Sequence, residues 1–369
     1  MDLHYDKAEL APALDDLERR RWLFANLPLD PVHRDWLRQR AWVRTVHGST
    51  RIEGNTLSDL EVDRLLDGVV ARSLPRKDAL EVLGTRSALD LADQLAADQD
   101  VAVDLAVVRE LHRRFLDGQS PLLTPGEYRR GENRVAGVDG ELIFATPPPG
   151  DVPELMRSFV GWLGGHAATP APVLAAVAHL EFVAVHPFND GNGRTARALS
   201  RLLLVRGGYG FDGVVSLDAS LDTQRSAYFA AIRASIGRAY EPGYDATPFV
   251  AFFLRALTGA ADHVLARLRA LGEVQISVRR DVVDGTLPPT MLDALAYAFI
   301  NRSIRAGDYQ KVTGRTAPTT TRDLAAATKA GYLVAEGSTR DRWYRLGPRL
   351  LATAAPGEPS DPREATPRA

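Results

Sequence analysis

The chain has 369 residues, a formal net charge of −2 and no cysteine. That length exceeds one ordinary hydrophobic core, so two or three domains are expected. Disulfides, thiolate catalysis and cysteine-ligated zinc are excluded, and the balanced charge rules out a chain-wide basic surface.

The first residues, Asp2, His4, Asp6 and Lys7, lack the basic-then-apolar order of a secretory signal. The longest apolar segment, 173–185, is short for a membrane span and carries His179 and Glu181. A cytoplasmic protein without a membrane partner is the expectation. Residues 7–24 read as an amphipathic helix, with Leu10, Leu14, Leu17 and Leu23 on helical spacing, broken by Pro28 and Pro31. A second helix covers 30–47, and the segment after it ends at Gly54 or Asn55 as C-terminal caps. Ser58 and Glu61 form a capping box for a helix over 59–72, and Pro75 separates that from a helix over 79–97.

A helix over 103–116 leads into a loop, then a β-hairpin over 134–146 turning at Asp139-Gly140. Helices over 152–163, 173–185 and 195–205 follow. Later helices are placed at 222–236, 248–271, 289–301 and 318–330, with a new unit starting near Glu273. A hairpin over 332–346 after the last helix reads as a winged helix-turn-helix. Beyond Pro348 the Pro-, Ala- and Glu-rich composition reads as disorder.

One stretch concentrates chemistry: His186-Pro187-Phe188-Asn189-Asp190-Gly191-Asn192-Gly193-Arg194-Thr195-Ala196-Arg197. Pro187 biases His186 out of helical geometry and ends the incoming helix. An imidazole at such a junction titrates near neutral pH and can accept a proton from a hydroxyl. Asp190 offers hard oxygen ligation suited to Mg²⁺. Gly191 and Gly193 let backbone N–H groups approach an anion at a helix start, and Arg194 and Arg197 share a helical face and can reach one phosphate chain. A polar turn between buried helices would account for the Pro, Asn, Asp and Gly, but not for a histidine and two arginines as well.

The stretch is similar, at every defined position, to the Fic-family motif His-Pro-Phe-x-(Asp/Glu)-Gly-Asn-Gly-Arg-x-x-Arg. Leu111-His112, Gly126-Glu127-Tyr128-Arg129, the hairpin and Thr146-Pro147-Pro148 also resemble that family's core, over roughly residues 100–255. The resemblance implies a mostly α fold: a helical Fic core with a small β-hairpin flap, plus the C-terminal winged helix. The expected division is 1–99 for an N-terminal helical region, 100–272 for the catalytic core, 273–348 for the winged helix and 349–369 for a disordered tail.

The implied activity is transfer of AMP from ATP to a Ser, Thr or Tyr hydroxyl of a target protein, with ATP and Mg²⁺ required. By resemblance His186 is the general base, Phe188 anchors the loop and Asp190 holds Mg²⁺. Gly191, Asn192, Gly193 and Arg194 stabilise the α- and β-phosphates, Arg197 meets the γ-phosphate, and the hairpin aligns the target by strand addition. Ser49-Thr50-Arg51-Ile52-Glu53-Gly54 is similar to the family's inhibitory pattern (Ser/Thr)-x-x-x-Glu-(Gly/Asn), so Glu53 is expected to pair with Arg197 in place of the γ-phosphate. Tyr228, of the pair Tyr228-Phe229, is either a wall of the adenine pocket or core. The Gly191-Asn192-Gly193-Arg194 loop is the form associated with AMP transfer, which disfavours the family's phosphotransferase variant.

Other matches are set aside. Gly208-Tyr209-Gly210-Phe211-Asp212-Gly213 fits G-x-G-x-x-G, but it follows a helix outside any βαβ unit and reads as a helix-ending loop. His179 and His186 share a helical face, yet without an H-E-x-x-H pattern His179 reads as a satisfied core residue, as does His112. The basic excess over 273–348 leaves DNA contact open. Removal of AMP with Glu53 positioning a water, a nucleotide-sensing DNA-binding regulator, self-modification and a homodimer stay open as alternatives.

Overall fold

The structure, a computed structural model, describes residues 4–68, 74–119, 123–136, 142–337 and 342–353. The chain divides into two compact units. The first takes residues 1–27, 43–57 and 61–260; the second takes 28–42, 58–60 and 261–369.

In the first unit, α1 (Lys7–Ala25) starts at Asp6, whose side chain accepts from the Ala8 and Glu9 N–H groups. The unit also holds the end of α2 (Pro31–Ile52) and most of α3 (Asp59–Leu66). Then come α4 (Arg76–Ala97) and α5 (Leu105–Phe115). They approach closely at Gly84, where a Cβ would run into the Phe115 carbonyl. Strands β1 (Arg134–Ala136) and β2 (Leu142–Ala145) pair antiparallel, with a bulge between Val135 and Ala136. The tip of the expected hairpin lies outside the described residues.

After α6 (Val152–Gly165) come α7 (Ala171–Val185) and α8 (Asn192–Arg206), which pack along each other at the centre of the unit. Nearly every residue of α7 is buried, which explains why its apolar pattern runs all the way round the helix. α9 (Leu217–Thr223) and α10 (Arg225–Ile236) replace the single helix expected over 222–236. Ser216 starts α9 by accepting from the Ala219 N–H at 3.1 Å.

α11 runs unbroken from Thr247 to Val283, through Gly272, where a boundary was expected. A single glycine costs a long helix only about 1 kcal/mol. By length and apolarity α11 could cross a membrane, but 61% of its most apolar window is buried in the protein, the condition of a core helix.

The second unit carries α12 (Met291–Asn301), β3 (Ser303–Arg305), α13 (Ala306–Thr313) and α14 (Ala317–Lys329). β4 (Leu333–Glu336), β5 (Trp343–Leu346) and α15 (Pro348–Leu351) complete it. The strands form an antiparallel sheet in the order β3-β5-β4. β3 and α13 lie between the helices expected over 289–301 and 318–330. They are anchored by buried Ile304 and by Tyr309, whose hydroxyl donates to Asp323 at 2.7 Å. The chain does not leave the fold at Pro348: α15 follows, with Leu350 fully buried.

Candidate active site

The 186–197 stretch occupies the turn between α7 and α8. α7 ends at His186, which adopts the left-handed conformation (φ 50°, ψ 57°) and so turns the chain sharply at the proline. The loop that follows is held from below. Phe188 is fully buried and stacks on the His112 ring at a centroid distance of 3.7 Å.

His112 accepts the Gly126 N–H on Nδ1 at 2.8 Å, which leaves Nε2–H to donate to the Asp190 carbonyl at 2.9 Å. Burial pushes its pKa down to about 4, so the imidazole is neutral and both nitrogens are committed. Arg129, 2% exposed, donates to the carbonyls of His186 at 2.8 Å and Pro147 at 2.6 Å, with longer bonds to Gly131 and Val185. Its own N–H meets the Pro187 carbonyl at 2.9 Å.

Asn192 was expected on the phosphates, yet its side chain shapes the loop. It is 2% exposed, with Oδ1 accepting from the Phe188 N–H and Nδ2 donating to the Phe188 carbonyl, both at 2.9 Å. The anion-facing parts are different. Gly191 caps α8 at φ 75°, a left-handed position that favours glycine. The first intrahelical bond of α8 runs from Thr195 N–H to the Gly191 carbonyl. The preceding N–H groups of Asn192, Gly193 and Arg194 therefore have no partner within the helix.

Arg194, 3% exposed, donates from Nη2 to Asp190 Oδ2 at 3.2 Å, while its buried Nε and Nη1 have no hydrogen-bond partner among the described residues. Arg197, also 3% exposed, donates from Nη2 to the Ser49 carbonyl and to Glu53 Oε1, both at 2.8 Å, and from Nε to Ser49 Oγ at 3.0 Å. Its buried Nη1 has no hydrogen-bond partner among the described residues. Burial disfavours the Arg197 charge, but Glu53 and Asp218 outweigh burial and hold the guanidinium protonated. The Glu53 carboxylate sits directly over α8: a Cβ at Gly193 would collide with its Oε1. Glu53, Ser49 and Arg197 thus meet across 144 residues of sequence.

Asp218 was missed by sequence reading. It is 5% exposed in α9, with Oδ1 3.5 Å from Arg197 Nε. Burial raises its pKa against the pull of Arg197. A buried acid in a seven-residue helix leaves little periodicity to find.

Tyr228 needs correction as a pocket wall. It is 1% exposed and its hydroxyl lies 2.8 Å from His179 Nε2, whose Nδ1 meets Ser200 Oγ at 3.0 Å. The exposed member of the pair is Phe229, 44% accessible, with the Arg225 guanidinium 5.0 Å from its ring centroid. The 208–213 stretch is a loop with a short 3₁₀ turn at Phe211–Gly213. Among the described residues no group of three or more His, Asp or Glu side chains is arranged to enclose a metal. Asp190, half exposed at 49%, is a lone carboxylate at the mouth of the site. That suits a cation such as Mg²⁺, which takes one carboxylate plus phosphate oxygens and water.

Residues 102–204 match the model of the Fic/DOC family. That segment is a Fic domain. The chain is 35% identical over 176 residues to a protein of Aedes aegypti named "Protein adenylyltransferase Fic", a stretch that takes in 46% of this chain and 34% of the relative. A Drosophila melanogaster protein of the same name matches at 35% over 177 residues, 47% of this chain and 34% of the relative. The chain therefore spans about a third of the length of these curated relatives. Its fold is similar to a crystal structure of a Fic family protein from Desulfovibrio desulfuricans G20, with a TM-score of 0.61 at 21% identity over 94% of this chain and 98% of that one. It also resembles Fic-1 from C. elegans, with a TM-score of 0.59 at 25% identity over 71% and 73% of the two chains.

Proposed function

We propose that this chain transfers AMP from ATP to a Ser, Thr or Tyr hydroxyl of a protein, and that Glu53 holds the reaction in check. The observation that carries the reading is the buried pair Arg194 and Arg197, which among the described residues keep guanidinium donors unpartnered over the first two turns of α8, the helix that follows His186. Unpaired buried donors of that kind call for an anion with several oxygens.

His186 Nδ1 lies 3.2 Å from the Val183 carbonyl, so the Nδ1–H tautomer leaves the Nε2 lone pair to take a proton. Burial pushes the imidazole below its ordinary value, which keeps that base neutral at physiological pH. The target hydroxyl oxygen attacks the α-phosphorus, its proton passes to Nε2, and the bond to the pyrophosphate oxygen breaks. Arg194 and the α8 N–H groups counter the charge that develops. Asp190 would hold Mg²⁺, which supplies charge neutralisation on the phosphates when bound. Glu53 claims the Arg197 edge that would otherwise meet the γ-phosphate. Arg225 supports the end of α2 by donating from Nε to the Ile52 carbonyl at 3.0 Å.

The test uses labelled ATP and mass spectrometry of labelled hydroxyls. Glu53→Gly should raise transfer by about tenfold to a hundredfold, the worth of one or two charge-assisted hydrogen bonds. Equal activity in both chains would sink the inhibitory role, and no labelling in either would sink AMP transfer. A second reading, removal of AMP, draws on the 37% side-chain exposure of Glu53, which leaves it room to hold a water. AMP release from a modified protein by the unaltered chain, but not by Glu53→Gly, would favour it.

For the second unit we propose a winged helix, from the succession α12, α13, α14 and the β3-β5-β4 sheet. Arg315, Thr321 and Arg322 are exposed on and before α14, as is Arg342 before β5, a pattern suited to duplex phosphates. Binding of a DNA duplex that weakens with salt, and is lost in Arg315→Glu/Arg322→Glu, would support this.

A further inference from the structure

Among the described residues of the first unit is a buried carboxylate, away from Arg197, that the proposed chemistry does not use. Glu181 lies in α7 five positions before His186 and is 2% exposed. It faces two phenols: the Tyr244 hydroxyl donates to Oε2 at 2.5 Å and the Tyr240 hydroxyl to Oε1 at 3.2 Å. Both tyrosines belong to the segment between α10 and α11.

That segment meets the hairpin. The Ala145 N–H donates to the Arg238 carbonyl at 2.8 Å, and the Tyr240 N–H to the Ala145 carbonyl at 2.9 Å. Ala145 is also opposite Arg134 on β1, so the 238–240 segment lies on the other edge of β2. An edge with unpaired backbone groups is a template for an added strand. Here that edge ends against Tyr240, and a strand laid along β2 would be stopped there.

The feet of the hairpin are tied to the active loop as well. The Thr146 hydroxyl donates to the Asn133 carbonyl at 2.6 Å, and Asn133 Nδ2 to the Phe188 carbonyl at 3.2 Å. The far side of the segment is fixed by the chain's start, through the Ala246 N–H to the His4 carbonyl at 2.8 Å.

We infer that Glu181, Tyr240 and Tyr244 form a positioning clamp that fixes the outer edge of β2 relative to His186 and so sets where an added target strand stops. The clamp joins the strand edge to the same helix that delivers the base, so the reach from edge to imidazole is set by one rigid element. The inference rests on the reading of the hairpin as the target-aligning strand. Glu181, Tyr240 and Tyr244 are positioning residues, since none needs to touch the reacting atoms.

Two readouts test it, the first independent of any activity. In the full chain, backbone amide exchange at Ala145 and Tyr240 should speed up about tenfold or more in Tyr240→Phe/Tyr244→Phe, with α7 and α8 amides unchanged. Glu181→Gln, which keeps one acceptor oxygen, should give a smaller increase. Unchanged exchange at both amides in the double variant would overturn the clamp. The second readout places the same substitutions in the Glu53→Gly chain and follows AMP transfer to protein hydroxyls. KM for ATP should stay constant while kcat falls several-fold and the labelled position spreads to neighbouring hydroxyls. Faster exchange with unaltered kcat and labelling pattern would overturn the positioning role. If the Glu53→Gly parent transfers no AMP, the activity reading fails instead, and the exchange result still decides the clamp.

Discussion

Two buried arginines a few residues from the same loop make a useful contrast. Arg129, 2% exposed, directs its guanidinium to backbone carbonyls, those of His186, Gly131, Pro147 and Val185. Arg194 is just as buried at 3% but, among the described residues, leaves Nε and Nη1 without hydrogen-bond partners. The histidines divide the same way. His112 and His179 have both ring nitrogens engaged, whereas His186 has one engaged with Val183 and, among the described residues, no partner on Nε2. A group with every donor and acceptor used holds the fold. A buried group with capacity left over is poised for a ligand, because leaving it unpaired costs free energy that only the ligand recovers.

The largest effect that contrast predicts is at His186. In the Glu53→Gly chain, His186→Ala should lower AMP transfer by about 10² to 10⁴, the usual contribution of a positioned base, with little change in melting temperature. His112→Ala should show the reverse order, with stability falling first. Because burial depresses the His186 pKa, transfer should hold steady as pH falls to the ordinary histidine value. It should decline only below that value, and a decline beginning above it would contradict the neutral-base assignment.

Next come the arginines. Arg129→Ala should cost roughly 3 kcal/mol or more in denaturant unfolding, since several buried carbonyls lose their donor together. Arg194→Ala should cost about 1 kcal/mol or less in stability but weaken ATP binding by about tenfold or more, measured by calorimetry. Equal stability losses for the two would dissolve the distinction between them.

Much of this could be read from sequence because the 186–197 turn packs its signals into twelve consecutive residues. The helix ends around it are marked by proline and glycine. Glu53 was also legible, since its partner Arg197 had a recognisable place in the motif. Asp218 and Arg129 were not legible as active-site parts. One is a buried acid in a short helix and the other a loop arginine whose partners are main-chain carbonyls, which carry no sequence signature. The side-chain bonds of Asn192 were not legible for a related reason: an amide suits a phosphate or a loop equally well, and only the structure shows its two bonds to Phe188. Tyr228 and Phe229 are adjacent on α10, so which one faces inward is set by packing against His179 and α11.

The smallest predicted effect concerns the satisfied histidines under acid. Burial pushes His179 down to about 3 and His112 down to about 4, so the folded protein keeps both neutral where the unfolded chain protonates them. The unfolded state then binds more protons, and stability falls as pH drops below 6.5, the ordinary value, toward those depressed values. Each histidine contributes a slope of at most about 1.4 kcal/mol per pH unit across that window. Glu181 and Asp218, raised by burial, act in the opposite direction, so the total slope does not isolate either histidine. The difference between the unaltered chain and His179→Gln does, because the carboxylates are common to both. Unfolding free energies measured between pH 6.5 and 4 should show the variant with the shallower slope. Parallel slopes would mean that His179 takes up its proton equally in the folded and unfolded states, against the depression that burial imposes on it.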